Sequence, residues 1–153
     1  MPVGEKTAAI ILAAGKGTRM ESSVPKPLHL LCGKPLTSFV VSVLVDINVT
    51  EIVIVVGHKS VEVSEKLHEE SAGQASLKFV EQVTQNGTGH AALVGLGGLG
   101  AVEKGNRDKN VLILPGDTPL LRPETLKRLL KVHNDNMAAA TILTALVDDP
   151  TGY

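Results

Sequence analysis

Apolar positions along this chain follow two alternating patterns: short, nearly continuous runs of Ile, Val, Leu and Ala, and longer stretches in which they recur every three or four residues. Thr7–Ala13 (TAAIILA) predicts a first strand and Glu51–Val56 (EIVIVV) a second, each as continuously apolar as a strand buried on both faces must be. Leu77–Val80 is a weak, short strand, and Asn110–Leu114 a strong one that runs into Pro115-Gly116-Asp117, a combination that ends extended structure sharply. Leu36, Phe39, Val40, Val43, Leu44 and Ile47 keep the i, i+3, i+4, i+7 spacing, which predicts a helix over Leu36–Ile47. A more polar helix is expected near Ser60–Glu70, and another over about Pro123–Asn134, with Pro123 suited to its first turn and Leu126, Leu129 and Leu130 on one face. The stretch from about Gly89 to Leu99 reads as a helix that depends on packing, because each interior glycine costs roughly 1 kcal/mol against alanine. Close helix packing is the expected purpose of its glycines. Met137–Val147 (MAAATILTALV) predicts a last buried strand. Such alternation of strands and helices specifies an α/β fold, a parallel sheet covered on both faces.

The chain then stops at Asp149-Pro150-Thr151-Gly152-Tyr153, directly after a turn signal and with no helix to close the sheet, so a truncated chain is expected. Its 153 residues suit one domain. A net charge of −1 provides no overall positive field for nucleic acid or an anionic membrane, so any phosphate binding must be local. With 2% aromatic residues, stacking platforms for single-stranded nucleic acid are not expected either. The apolar runs fall short of the roughly 18 residues of a membrane helix, and the N-terminus has no signal-peptide pattern. A cytosolic (cytoplasmic) protein is therefore expected, with Cys32, the one cysteine, as a buried thiol.

Candidate chemistry begins where the first strand ends. Ala14-Gly15-Lys16-Gly17-Thr18-Arg19-Met20 is a small-residue loop at the carboxyl end of a parallel strand, the place where open α/β sheets bind ligands. Its glycines can present backbone N–H groups to phosphate oxygens, and Lys16, Arg19 and Lys26 add positive charge. A solvated turn with ordinary surface cations has the same composition. The loop is not a dinucleotide fingerprint, since Met20 stands where glycine is needed and Gly57-His58 follows the second strand where an acid would bind a ribose; nor does a Walker loop occur. In Pro25-Lys26-Pro27 two prolines restrain the backbone on both sides of Lys26, which makes that lysine a positioning device. Lys34, before Pro35, reads as part of a turn into the helix.

The pattern Leu12–Met20 (LAAGKGTRM) followed by Pro25-Lys26-Pro27 resembles the signature of sugar-1-phosphate nucleotidylyltransferases. With Gln82, Gln85–Ala91 (QNGTGHA), Leu114–Leu121 (LPGDTPLL) and the final Asp149–Tyr153 (DPTGY), the chain is similar along its whole length to the uridylyltransferase domain of the bacterial bifunctional N-acetylglucosamine-1-phosphate uridylyltransferases/glucosamine-1-phosphate acetyltransferases. The resemblance implies a Rossmann-like three-layer sandwich with a mostly parallel sheet. It implies uridylyl transfer from UTP to N-acetylglucosamine 1-phosphate with Mg²⁺ as cofactor, in the supply of cell-envelope precursors. By the same resemblance Leu12, Ala13, Ala14 and Gly15 contact uracil and ribose, Arg19 and Lys26 the phosphates, Gln82, Gly87 and Thr88 the base, Asp117 the metal, and Gly152 the acceptor sugar. The second metal-binding carboxylate, the remaining sugar contacts and the trimerising β-helix of acetyl transfer would lie downstream of Tyr153. A full-length form would be a homotrimer, and neither nucleic acid nor membrane is an expected partner.

The residues carry independent meanings as well. Uridylyl transfer uses a phosphate oxygen as nucleophile; that oxygen is already an anion, so the site needs alignment and charge neutralisation rather than a general base. Asp117 suits Mg²⁺, which takes one or two carboxylates plus phosphate oxygens and water, but it also suits an ordinary turn. Gln82 pairs a donor and an acceptor that match the O4 and N3–H edge of uracil. A free amide could flip to suit cytosine, leaving backbone groups of Ala13, Ala14 or Gly87 to discriminate; a surface glutamine beside a short strand is the plainer reading. Thr88 also reads as a cap for the helix beginning near Gly89. His58 and His90 are read as hydrogen-bonded scaffold rather than acid or base, and His29, His68 and His133 as surface or core-rim residues. The competing functions are another sugar-1-phosphate or small-alcohol nucleotidylyltransferase of the dTDP- or GDP-sugar type, and a non-catalytic nucleotide-binding fragment.

Overall fold

The computed structural model describes residues 7–15, 22–57, 60–70, 75–100 and 109–149. Four parallel strands form the main sheet. These are β1 (Thr7–Ala13), β4 (Glu51–Val56), β5 (Ser76–Glu81) and β6 (Asn110–Pro115), in the order β5-β4-β1-β6. Between β1 and β4 lie a 3₁₀ turn (Lys26–Leu28), a two-stranded ribbon of β2 (Leu30–Leu31) and β3 (Lys34–Pro35), and helix α1 (Leu36–Asp46). The crossovers that follow are α2 (Ser60–Glu70) and α3 (Gly87–Gly98), and α4 (Pro123–Asp135) follows β6.

The period of two in each strand divides the core into two layers. Ala9, Ile11 and Ala13 of β1, with Ile52, Ile54 and Val56 of β4, face α1, α2 and α4. Ala8 and Ile10, with Val53 and Val55, face α3 through Ala91. Helix α1 buries Val40, Val41 and Leu44, and α4 buries Leu126 and Leu130. The expected helix–sheet–helix sandwich is therefore the observed architecture, and β1, β4 and α2 have their expected limits. The glycines of α3 do serve close packing: Gly95 lies on Ile10 and Val55, and Gly98 on Val53 and Val80.

Three expectations are corrected. Residues 138–149 form no strand, and Ile142 and Leu146 are exposed rather than buried. An apolar run becomes a strand only where an edge and a covering layer meet it, and no described element pairs with this segment. Cys32 is exposed, not buried. It is paired with Gly33 at the tip of the β2–β3 ribbon, with φ of +51° and +80°, the left-handed pair that a two-residue hairpin turn demands. Thr88 is not a cap: α3 begins at Gly87, its N-cap is Asn86, and no side chain closes that end. Among the described residues no helix is long and apolar enough to cross a membrane.

Candidate functional site

At the carboxyl ends of β1, β4 and β5 lies an open cavity of about 700 Å³, lined by Ala13–Gly15, Pro25 and Pro27, Gly57, and Glu81–Gln85. Crevices of this kind, outside the carboxyl edge of a parallel sheet, are where α/β folds bind ligands. The chain leaves β1 at Ala13, and the loop that follows is held by its neighbours. The Gln85 side-chain amide donates to the Ala14 carbonyl (2.9 Å). Gly57 sits so close beneath that a Cβ there would stand 2.5 Å from the same carbonyl oxygen. Ala14 is thus nearly buried while Gly15 is exposed at the rim.

A second group forms where β6 ends. The Gly116 N–H donates to the Leu12 carbonyl (3.0 Å), and the buried Thr37 hydroxyl donates to the Gly116 carbonyl (2.8 Å). These two bonds fix the turn that carries Asp117 against the end of β1. There Asp117 Oδ2 forms an ion pair with Lys26 Nζ, both side chains being about one-third exposed. The restraint expected of Pro25-Lys26-Pro27 is visible as the 3₁₀ turn, with Pro27 and Leu28 buried beneath it. A valine at Thr37 keeps the shape and removes the donor, which is expected to lower stability by about 1–3 kcal/mol. Urea denaturation measures this; serine at the same position should recover most of the loss, and an unchanged midpoint for valine would show that the bond holds nothing.

Gln82 is buried, with 4% exposure. Its backbone N–H continues the sheet by donating to Val56 (2.8 Å), and its side-chain nitrogen lies 3.2 Å from the Gly87 carbonyl and 3.0 Å from His90 Nδ1. The surface-glutamine reading is therefore excluded, whereas His90 is the hydrogen-bonded scaffold it was expected to be. Leu12, Ala13, Ala14, Gly15, Lys26, Gln82, Gly87 and Asp117 all gather at one edge of the sheet, and Thr88 is exposed on the first turn of α3. Lys16, Gly17, Arg19, His58 and Gly152 lie outside the described residues. Thr37, Gln85 and Gly57 belong to the scaffold of the site but were not singled out for it from the sequence. For Thr37 and Gln85 the partners lie 79 and 71 residues away, so no local pattern marks them.

Asp117 offers one carboxylate beside Lys26, and among the described residues no three His, Cys, Asp or Glu side chains cluster to hold a metal. This donor set fits a hard cation carried mainly by substrate phosphates, as Mg²⁺ is, and does not fit a metal caged by the protein alone.

Known proteins align with this arrangement. The chain is 43% identical over 148 residues to the bifunctional protein GlmU of Listeria monocytogenes serotype 4a, and 42% identical over 149 residues to that of Thermoanaerobacter pseudethanolicus. Both matches take in 97% of this chain, and it spans about 30% of the length of these curated relatives. The match agrees with the uridylyltransferase-domain resemblance drawn from the sequence. Among solved structures, HddC from Yersinia pseudotuberculosis, complexed with GMP-PN, superposes with a TM-score of 0.64 at 21% identity, over 84% of this chain and 54% of that one. Residues 9–149, from the first strand past Asp117, match the MobA-like NTP transferase domain, and the chain belongs to that family.

Proposed function

We propose that this site binds UTP and transfers its uridylyl group to N-acetylglucosamine 1-phosphate, releasing pyrophosphate and forming UDP-N-acetylglucosamine. Membership of a nucleotidyltransferase family supports the reaction class. The observation that favours a uridine nucleotide is the buried Gln82 amide at the wall of the cavity, which Ala13–Gly15 also line; in this reading the amide meets a base edge and Ala13–Gly15 meet the ribose.

The chemistry assigns each group a simple duty. A phosphate oxygen of the sugar phosphate attacks the α-phosphorus, the bond from that phosphorus to the α,β-bridging oxygen breaks in line, and pyrophosphate carries the electron pair away. The nucleophile is already ionised, so no residue removes a proton. Lys26, tethered by its flanking prolines, neutralises phosphate charge, and Arg19, which follows Gly15 in the sequence, does the same. Asp117 would hold Mg²⁺, which when bound shields the phosphates and helps align them. Asp117 and Lys26 satisfy each other, and this pairing holds each in place for its proposed role.

Pyrophosphate release from UTP and N-acetylglucosamine 1-phosphate, with and without Mg²⁺, tests the proposal. Turnover of another nucleotide or sugar phosphate in place of this pair would move the assignment to a sister nucleotidylyltransferase. Calorimetric binding of UTP with no turnover would leave a binding module. Replacing Asp117 with asparagine is expected to lower the Mg²⁺-dependent rate by about a hundredfold, the kinetic equivalent of losing a few kcal/mol of charge stabilisation, while circular dichroism stays unchanged. A Mg²⁺ titration that superimposes on the wild type would remove Asp117 from the metal site.

A further inference from the structure

The Gln82 amide has a defined orientation. The Gly87 carbonyl can only accept a hydrogen bond, so the side-chain NH₂ must be the group that faces it at 3.2 Å. The second amide hydrogen then points to His90 Nδ1 at 3.0 Å, which must accept, so the His90 proton resides on Nε2. Both hydrogens of the amide are consumed by the protein. Oε1 makes no hydrogen bond among the described residues, although Gln82 is 4% exposed and lines the 700 Å³ cavity. What the residue offers a ligand is therefore an acceptor alone.

We infer that His90 is a specificity-determining positioning residue: by accepting from Gln82 it locks the amide oxygen toward the cavity, so that the site selects a base whose ring presents an imide N–H, as uracil does. Cytosine carries a lone pair at the same ring nitrogen and would set it against Oε1, or would have to slide along its edge to bring its amino group there. The inference rests on the nucleotide reading of the site and adds the device that prevents the amide from flipping.

The experiment compares calorimetric binding of UTP and CTP, in the presence of Mg²⁺, to the wild-type chain and to His90→Leu and His90→Asn. Asparagine retains a side-chain oxygen that can accept in place of Nδ1, and leucine does not. The wild type is expected to prefer UTP. His90→Leu should reduce the UTP-to-CTP ratio by about tenfold, the worth of one net hydrogen bond, with His90→Asn keeping most of the preference. A ratio unchanged in His90→Leu, equal binding of the two nucleotides by the wild type, or an equal loss in both variants would overturn the role of His90 while leaving the proposed reaction standing. Failure of the wild type to bind UTP at all would overturn the nucleotide reading itself. Should His90→Leu not fold, the ¹⁵N shifts of the wild-type imidazole decide the matter: an unprotonated Nδ1 supports the lock, and a protonated Nδ1 refutes it.

Discussion

Alanine at Arg19 is expected to cut kcat/KM for uridylyl transfer by about 2–4 kcal/mol of transition-state stabilisation, which is roughly 30- to 900-fold. The expectation follows from the reaction having no proton to move: with an anionic nucleophile, neutralisation and alignment of phosphate charge are the main contributions left to side chains. Arg19 follows the Ala13–Gly15 wall of the cavity by a few residues. Lys26 is engaged by Asp117, so the two cations are not equivalent, and Arg19 is the one whose fork can grip two phosphate oxygens together. Most of the loss should therefore appear in kcat rather than in KM for UTP, and lysine should recover only part of it. Steady-state kinetics of the two variants check this, and a wild-type kcat in Arg19→Ala would refute the role.

Valine at Gly95 is expected to destabilise the domain by about 3 kcal/mol, the upper part of the range for overpacking a tight core. A Cβ at this position would overlap Ile10 Cγ2 and stand 3.1 Å from Val55 Cγ2. Both are buried side chains of central strands, and Ile10 is fully buried. Neither can retreat without disturbing the opposite layer, since Ile11 and Ile54 on the other face are fully buried as well. Valine would gain on glycine in helix propensity by only a fraction of 1 kcal/mol, too little to offset the clash. Chemical denaturation of Gly95→Val against Gly97→Val separates the effects, because a Cβ at Gly97 meets nothing within 4 Å. Equal losses in the two variants would show that propensity, and not packing on the sheet, sets the cost.

The strands were legible in proportion to how completely they are buried. β1 and β4 are apolar after their first residues, Thr7 and Glu51, and have the limits that their composition implies. The shorter Leu77–Val80 reading understates β5, whose outer residues Ser76 and Glu81 are exposed at the edge of the sheet. Residues 138–149 mislead for the converse reason: their composition is that of a strand, but hydrogen-bonding partners lie outside any local pattern. The same distinction divides the site. The Gly15 loop, Lys26 between its prolines, and Asp117 after Gly116 are marked by neighbours in the chain, and the ion pair of the last two confirms that they meet. The Thr37–Gly116 bond depends on the placement of α1 against the sheet and the Gln85–Ala14 bond on two loops meeting at its carboxyl edge, and a hydroxyl or amide carries no sign of its partner.

The position of β6 bears on how the site is assembled in time. Strands β1, β4 and β5 are added outward in chain order, but β6 returns to the far side of β1, where Ala8 pairs with Val111. Closing so long a loop costs more chain entropy than any earlier pairing in the sheet, and such distant contacts slow folding. During synthesis the cavity wall made by Ala13–Gly15 and Gln82, complete once Gln82 and α3 have emerged, can form on a three-stranded sheet. The Lys26–Asp117 pair waits for the last strand to dock, because Asp117 reaches Lys26 only through β6. A nascent chain can thus acquire the cavity beside Gln82 before it acquires the Lys26–Asp117 ion pair.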